Sequence, residues 1–459
     1  MQKEEIAALV QKQRVLFATG VTRKVGYRLG ALAALRGAIL AHEGEIIEAL
    51  RQDLNKSELE SYMTEIGFVL SEITYVTKHL QSWARPRRVA AGLSQFPGVN
   101  RVYSDPYGCV LIISPWNYPF QLALLPVVDA IAAGNCVVVK PSNYAKHVSQ
   151  VIETVLGECF EPSLAAVVQG GREENTALLE ERFDYIFFTG SPEVGHVVME
   201  KAAKHLTPVT LELGGKSPCI VDKTADIPLA AKRVAWGKLI NAGQTCIAPD
   251  YLLVQREVKD AFVQALAAEF KAQMGEDPLH TPYYPAIINE KHFNRLLGLL
   301  EGEALVCGGQ YDAVTRKIAP VILANATEQS KAMQEEIFGP IFPVLPFEEI
   351  DEVIEKLEGM ERPLALYLFS RDKRVQRRVT TLARYGGGCI NDTVLHIASH
   401  NAPFGGVGQS GMGGYHGRAG FDTFTHKKTV LSRGGGFDPE LRYIRHQQKY
   451  LKLVRRVLK

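Results

Sequence analysis

Cys246 and Glu212 are the residues of this sequence whose surroundings best suit covalent chemistry. Cys246 ends the segment 243–246 (GQTC), where a glycine and small neighbours would let a substrate reach the thiol. A thiolate is a nucleophile, although a lone cysteine is more often a packing residue. Glu212 stands between two leucines, and apolar surroundings raise the pKa of a carboxyl group. Such a group suits a general base near neutral pH, and the alternative is a surface glutamate on a strand edge.

Asn117 is a third candidate, in the segment 115–119 (PWNYP) that follows an apolar run. A side-chain amide at that place can donate a hydrogen bond to an oxyanion. The alternative is an ordinary turn residue between two prolines.

Several further residues suit a dinucleotide. Lys140 ends another apolar run and could hold ribose hydroxyls or phosphate. The segment 188–195 (FTGSPEVG), with Gly190, Ser191 and Gly195, ends a predicted strand and opens a helix, so its backbone N–H groups could face a pyrophosphate. Glu336 and Phe338 place a carboxylate near an aromatic ring, which suits ribose and a flat nicotinamide. Each of these residues also fits a cap, a turn or a core position.

The elements that must position these residues alternate between short apolar runs and helical periods. The predicted strands are 109–114, 136–139, 165–168, 185–188, 219–221, 251–254, 341–345, 364–368 and 389–391, and the predicted helices include 122–133, 149–160, 258–270 and 351–357. Such alternation predicts a parallel, doubly wound α/β fold, whose ligands bind at the carboxyl ends of the strands. Helices are predicted before residue 80, and an extended arm or hairpin around 99–103.

Composition excludes several classes of protein. The chain has 459 residues, 46 % of them hydrophobic, and a net charge of +2, so nucleic-acid binding is not indicated. Its seven cysteines include no Cys-x-x-Cys pair, which argues against a zinc site and a disulfide scaffold. We expect no metal, and a cytoplasmic location, since no signal peptide or membrane span is evident.

The tail, residues 441–459, is basic and has no acidic residue. Ile444, Leu451, Val454 and Leu458 fall on one helical face. Such a helix either docks on the body with a solvated basic face or makes a weak peripheral contact with an anionic membrane.

Taken together, the motifs resemble those of the aldehyde dehydrogenase superfamily. The matching segments, in order, are 115–119, 140–142 (KPS), 188–195, 211–216 (LELGGK), 243–246, 335–340 (EEIFGP) and 403–411 (PFGGVGQSG). Residues 413–417 (GGYHG) and 421–426 (FDTFTH) look like the class 3 branch of fatty and aromatic aldehyde dehydrogenases.

The resemblance implies a Rossmann-type dinucleotide-binding domain over 1–85 and 108–211 and an α/β catalytic domain over 212–396. A small bridging β element for oligomerisation would comprise 86–107 and 397–430, followed by the basic tail at 431–459. It also implies a homodimer.

It further implies that Cys246 attacks the aldehyde, that the Asn117 amide and the Cys246 backbone N–H hold the oxyanion, and that Glu212 activates water. Glu336 stays a second candidate base. The expected product is a carboxylate, from medium- or long-chain aliphatic or aromatic aldehydes. A CoA-acylating enzyme and a non-catalytic protein with this fold are the alternatives.

For the cofactor, NAD, the resemblance implies contacts from Trp116, Lys140, Gly190, Ser191, Gly195, Glu336 and Phe338. Asn143 stands where family members often carry a glutamate that repels a 2′-phosphate, so we expect NADP to be tolerated. Tyr62 and Tyr118 are predicted to line the substrate entrance.

Overall fold

A computed structural model describes residues 1–436, 438 and 440–457. Phe437, Pro439, Leu458 and Lys459 lie outside the described residues, so the predicted apolar face of the tail is described only in part.

Helices form the N-terminal region, as the periodicity predicts. They are α1 (Lys3–Ala18), α2 (Val25–Ala41), α3 (Glu43–Leu54), α4 (Glu58–Ser61) and α5 (Gly67–Trp83). A π-helical turn, Tyr62–Ile66, joins α4 to α5. Leu32, Leu35 and Ile39 are fully buried, because their spacing puts them on one face of α2. Two short strands follow, β1 (Arg87–Val89) and β2 (Val99–Pro106).

The first large sheet alternates strands with helices. Its elements are β3 (Cys109–Ile113), α6 (Gln121–Ala133), β4 (Cys136–Lys140), α7 (Lys146–Cys159), β5 (Ala165–Val167), α8 (Arg172–Glu180), β6 (Tyr185–Gly190), α9 (Pro192–Ala203) and β7 (Val209–Leu213). Every residue of β3 and β4 is buried, as expected of central parallel strands. The strand order is β16-β7-β6-β3-β4-β5, where β16 (Gly411–Met412) is antiparallel to β7.

The second large sheet is parallel, in the order β12-β13-β9-β8-β14-β15. The elements of this region are β8 (Pro218–Val221), α10 (Ile227–Leu239), β9 (Tyr251–Gln255), α11 (Lys259–Met274), α12 (Glu290–Gly298), β10 (Tyr311–Asp312), β11 (Lys317–Ile318), β12 (Val321–Leu323), α13 (Lys331–Gln334), β13 (Ile341–Phe347), α14 (Ile350–Glu358), β14 (Ala365–Phe369), α15 (Lys373–Leu382) and β15 (Gly387–Ile390). The two large sheets confirm the predicted doubly wound α/β fold.

A third, antiparallel sheet has the order β1-β2-β17. The chain reaches it through α16 (Gly417–Thr423) and β17 (Thr425–Ser432), which pairs along the length of β2. This sheet combines the predicted arm near residue 100 with a segment near residue 430. Residues 411–412, which the sequence assigns to the bridging element, instead extend the first sheet. The division into domains at the predicted residues stays a prediction.

The described part of the tail contains α17 (Gln447–Val457). Leu451 is about half exposed, so this part of the helix is not buried against the body. In the portion of the chain that the structure describes, no helix combines the length and apolarity needed to cross a membrane.

Candidate active site

The loop that carries Cys246 is strained and closely packed. Asn241, Ala242 and Gly243 follow α10 with φ of 49°, 51° and 74°, in the left-handed region. A Cβ added at Gly243 would lie 2.4 Å from the carbonyl oxygen of Gly339, so this position requires glycine. The Cys246 loop is therefore fixed against the 335–340 segment, and the cysteine itself is partly exposed.

Cys246 and Glu212 line the same cavity, which has a volume of about 170 Å³. The full lining is Met63, Thr64, Phe68, Tyr118, Gln121, Leu122, Thr189, Glu212, Trp236, Ile240, Thr245, Cys246, Ile247, Val394, Leu395, Ile397, Ala398, Phe404 and Tyr415. Most of these side chains are apolar or aromatic. The two residues that sequence reasoning singled out for covalent chemistry therefore share a mainly hydrophobic chamber.

Glu212 lies in β7, between Thr189 of β6 and Gly411 of β16 in the sheet register. It is 3 % exposed, and neither carboxyl oxygen has a hydrogen-bond partner among the described residues. Burial raises the pKa of Glu212 well above its ordinary value. A Cβ added at Gly405 would lie 3.2 Å from Glu212 Oε1, so the glycine-rich segment packs directly over this carboxyl group.

Burial has the largest influence on the pKa of the Cys246 thiol. Burial, followed by the nearby carboxylates of Glu336 and Glu212, raises the pKa of Cys246 above its ordinary value. A thiol in such surroundings is protonated at neutral pH, so forming the thiolate requires a base.

Asn117 is tied to the loop that carries the cysteine. Its Nδ2 donates to the carbonyl oxygen of Gln244 at 3.0 Å. Its own carbonyl oxygen accepts from Asn241 Nδ2 at 2.8 Å and from Lys56 Nζ at 3.1 Å. Asn117 is 2 % exposed, so the amide is held inside the protein next to the cysteine loop.

Glu336 lies close to the residue that follows β7. A Cβ added at Gly214, directly after β7, would lie 2.1 Å from Glu336 Oε2. Burial, together with the charge of Asp250, raises the pKa of Glu336 to about 8. Glu212 lines the cavity with Cys246 and Glu336 does not, which favours Glu212 over Glu336 as the base that acts on a substrate there.

Two aromatic rings contact Trp116. Trp116 lies edge-on to Phe338 with ring centroids 5.3 Å apart, and 5.1 Å from the ring of His292 in α12. Burial, with help from neighbouring cations, lowers the pKa of His292 to about 4, so this ring is neutral. His292 was missed by sequence reasoning, and one histidine in a polar helix carries no signal that would reveal it.

The other predicted cofactor residues follow the carboxyl ends of β4 and β6. Lys140 ends β4, and its Nζ donates to the carbonyl oxygen of Pro141 at 2.8 Å. Burial lowers the pKa of Lys140 to about 8. Asn143 Nδ2 lies 3.4 Å from the position of a Cβ added at Gly171.

Gly190 ends β6, and Ser191 is the N-cap of α9. The free N–H groups at the start of α9 therefore lie at the same edge of the sheet. A Cβ added at Gly195 would lie 2.9 Å from Leu213 Cδ2, so this glycine lets α9 pack closely against β7. One edge of the sheet thus carries the Lys140 amine, the Asn143 amide, the N-terminus of α9 and the rings around Trp116. This set of groups fits an extended dinucleotide.

The two predicted entrance residues differ in position. Tyr118 lines the cavity, and its hydroxyl shares a hydrogen bond of 2.6 Å with Thr245 Oγ1. Tyr62 is 43 % exposed and does not line the cavity, whereas the adjacent Met63 and Thr64 do. The π-helical turn that begins at Tyr62 changes which side chains face inward, because a π turn holds more residues than an α turn.

Comparison with known proteins adds independent findings. The sequence model of the aldehyde dehydrogenase family matches residues 1–430. The chain is 44 % identical to "Aldehyde dehydrogenase, dimeric NADP-preferring" of Canis lupus familiaris, over 94 % of this chain and 95 % of that protein. It is 44 % identical to "Aldehyde dehydrogenase family 3 member B1" of Homo sapiens, over 97 % and 96 %. The fold matches the substrate-bound state of Staphylococcus aureus AldH with a TM-score of 0.97, at 42 % identity and 99 % coverage of both chains.

Proposed function

This chain belongs to the aldehyde dehydrogenase family, as its motifs suggest, and we propose that Cys246 is the nucleophile with which it oxidises an apolar aldehyde to a carboxylate. The observation that carries this proposal is the cavity shared by a partly exposed thiol and a buried carboxyl group without a hydrogen-bond partner among the described residues. NAD or NADP is the oxidant that the family uses.

In the first half of the reaction, the Cys246 thiol passes its proton to solvent, with help from Glu212, and its sulfur forms a bond to the aldehyde carbon. The carbonyl oxygen becomes an oxyanion, to which the Asn117 side chain and the Cys246 backbone N–H donate. Asn117 Nδ2 has two hydrogens, and its bond to Gln244 uses one. The other would donate to the oxyanion.

The dinucleotide, when bound, accepts the hydride that leaves the substrate carbon. Lys140 and Asn143 would hold its adenosine ribose, and Gly190 and Ser191 its pyrophosphate, while Gly195 allows the close packing of α9. Glu336 would accept from the other ribose, and Trp116 and Phe338 would pack beside the nicotinamide ring.

Loss of the hydride leaves an acyl thioester on Cys246. Glu212 then accepts a proton from water, the hydroxide adds to the acyl carbon, and the bond to sulfur breaks to release the carboxylate. A buried carboxyl group with a raised pKa suits this role near neutral pH. The same group argues against transfer of the acyl unit to CoA, for which no water-activating base is needed.

The substrate class follows from the chamber. The lining favours aliphatic or aromatic aldehydes over charged ones, because burial of apolar surface drives their binding. Its apolar side chains include Trp236, Leu122, Phe404 and Ile397.

The proposed function is tested by offering the purified protein NAD or NADP with aliphatic and aromatic aldehydes, with and without CoA. We expect reduced cofactor to form without CoA, with higher kcat/KM for apolar aldehydes than for short polar ones. Turnover that requires CoA would instead identify an acylating enzyme. Silence with every aldehyde would favour a protein that keeps the fold without the chemistry.

Asn143 is predicted to permit NADP. Because an amide does not repel a 2′-phosphate, Asn143→Glu should lower kcat/KM for NADP by at least about tenfold and change that for NAD far less. The control is Asn143→Gln, which keeps an uncharged amide and should leave the NADP-to-NAD ratio near that of the unchanged protein. An unchanged protein whose kcat/KM for NADP is about a thousandfold below that for NAD would contradict the prediction.

The homodimer also belongs to this proposal, and the relative described as dimeric supports it. The antiparallel sheet β1-β2-β17 has exposed residues along β17 that suit an interface with a second copy.

A cytoplasmic location and a weak membrane contact of the tail stay predictions. The basic residues of the described tail are what supports the second of these.

A further inference from the structure

A buried ion pair lies beneath the segment that carries Asn117. Lys56 stands between α3 and α4, and Glu65 lies in the π-helical turn before α5. Lys56 Nζ and Glu65 Oε1 are 2.5 Å apart, and both side chains are fully buried. Charged residues are seldom fully buried, and their pairing seldom adds much stability, because desolvation offsets the attraction.

The pair binds the backbone of residues 117–121 at both of its ends. Lys56 Nζ donates to the carbonyl oxygen of Asn117 at 3.1 Å and lies 4.0 Å from the ring centroid of Tyr118. Glu65 Oε2 accepts from the backbone N–H groups of Phe120 and Gln121, each at 2.9 Å. An apolar pair of the same volume could fill the space, but it could not hold that carbonyl group and those two N–H groups.

The same network continues to the cysteine loop. Glu60 Oε1 accepts from the backbone N–H of Asn241 at 2.7 Å. Asn241 Nδ2 donates to the carbonyl oxygens of both Asn117 and Gln244, at 2.8 and 3.0 Å. Acidic and basic side chains of the N-terminal helices thus hold both backbone segments between which the oxyanion would form.

We propose that Lys56 and Glu65 are positioning residues, which set the place of the Asn117 side-chain amide relative to Cys246. This inference rests on the proposed role of Asn117 as an oxyanion donor. Neither residue touches the substrate; both act by fixing peptide groups from the Asn117 carbonyl to the Gln121 N–H, directly after the Asn117 side chain. Misplacement of a catalytic group by about 1 Å can cost about a hundredfold in rate, so the effect of losing the pair should be large.

The test variant is Lys56→Met with Glu65→Gln, which removes both charges of the pair together. We expect the pre-steady-state rate of hydride transfer to fall at least about tenfold, with little change in the Kd of NAD. The smaller change Glu65→Gln alone should slow the same step by about threefold or more, because one amide oxygen cannot replace two carboxylate oxygens. It serves as the test if the double variant does not fold.

The matched control is Arg28→Met. Arg28 is another buried cation that binds backbone carbonyl groups, those of Thr22 and Ala132, at the opposite end of α6. Its loss should lower Tm and leave the rate of hydride transfer unchanged. A slow step in both variants would mean that general loosening, and not positioning, is responsible.

A double-mutant cycle with Asn117→Ala separates the inference from the proposed function. If Lys56 and Glu65 act through Asn117, removing them in the Asn117→Ala background should slow hydride transfer by no more than about twofold further. Full, independent loss in that background would overturn the inference and leave the role of Asn117 intact. An Asn117→Ala variant with an unchanged rate would overturn the proposed oxyanion donor, and the inference with it. A folded Glu65→Gln variant with an unchanged rate would overturn the inference alone.

Discussion

Replacing Cys246 with alanine is expected to reduce aldehyde oxidation by at least about 10⁴-fold, the scale of loss when a covalent nucleophile is removed. No other thiol lines the cavity with Glu212, so nothing nearby can form the thioester instead. The measurement is formation of reduced cofactor, followed in both the first turnover and the steady state. Binding of NAD should persist, because the predicted cofactor residues are untouched.

Cys159→Ala is the matched control for that experiment. Cys159 is also partly buried and free, but it ends α7 and does not line the cavity. Its replacement should leave turnover close to that of the unchanged protein. Substantial turnover by the Cys246→Ala variant would contradict the assignment of the nucleophile.

Replacing Glu212 with glutamine is expected to lower the steady-state rate by about 10²- to 10⁴-fold, the usual contribution of a general base. A glutamine cannot take a proton from water, so the acyl thioester should accumulate. An initial burst of reduced cofactor should therefore survive while later turnovers stop. A variant that shows no burst would place the main role of Glu212 in acylation, where it would deprotonate Cys246.

The pH dependence of deacylation also tests the role of Glu212 as a base. Burial raises the pKa of Glu212, so this carboxyl group stays protonated at pH values where an exposed glutamate is already charged. A protonated carboxyl cannot act as a base. Deacylation should therefore weaken as the pH falls through the raised pKa and strengthen as the pH rises. The residual rate of the glutamine variant should lack this dependence.

Glu336→Gln is the comparison that decides between the two candidate bases. Glu336 lies outside the cavity lining and beside Gly214, so its replacement should chiefly raise the KM for the cofactor. Accumulated acyl enzyme in Glu336→Gln, with normal turnover in Glu212→Gln, would reverse the assignment.

The two large sheets were largely predictable from the sequence, because parallel strands are buried on both faces and appear as short apolar runs. The predicted strand 136–139 lies within β4 and the predicted strand 185–188 within β6, and each observed strand extends slightly further at its end. β7, β12 and β16 were not predicted. β12 and β16, with three and two residues, have too little period to stand out, and in β7 the polar Thr210 and Glu212 interrupt the apolar run. Their positions depend on neighbours that are distant in sequence.

The candidate site, like the fold, has a part that the sequence predicted and a part that it did not. Cys246, Glu212 and Asn117 stand in recognisable motifs; the structure places Cys246 and Glu212 in one cavity, and Asn117 against the cysteine loop, outside the cavity lining. Lys56 and Glu65 were not predicted, because a lysine and a glutamate in a polar helical segment are normally solvent-exposed. Their burial depends on how the N-terminal helices pack beneath the Asn117 segment, which local sequence does not reveal. Tyr62 stays a prediction for the entrance, and its neighbours Met63 and Thr64, which line the cavity, were not predicted, because a π-helical turn leaves no clear mark in the sequence.

The pairing of β16 with β7 means that one edge of the first sheet is completed by residues made late in biosynthesis. Chains fold from the N-terminus as the ribosome makes them, so Glu212 and Cys246 emerge well before Gly411. Until then β7 is an unprotected sheet edge, open to pairing with another nascent chain, and the chamber lacks the walls supplied by Phe404 and Tyr415. A ribosome stalled before these residues would therefore carry a chain with its reactive thiol present and its chamber open, and catalysis would have to wait for the last part of the fold.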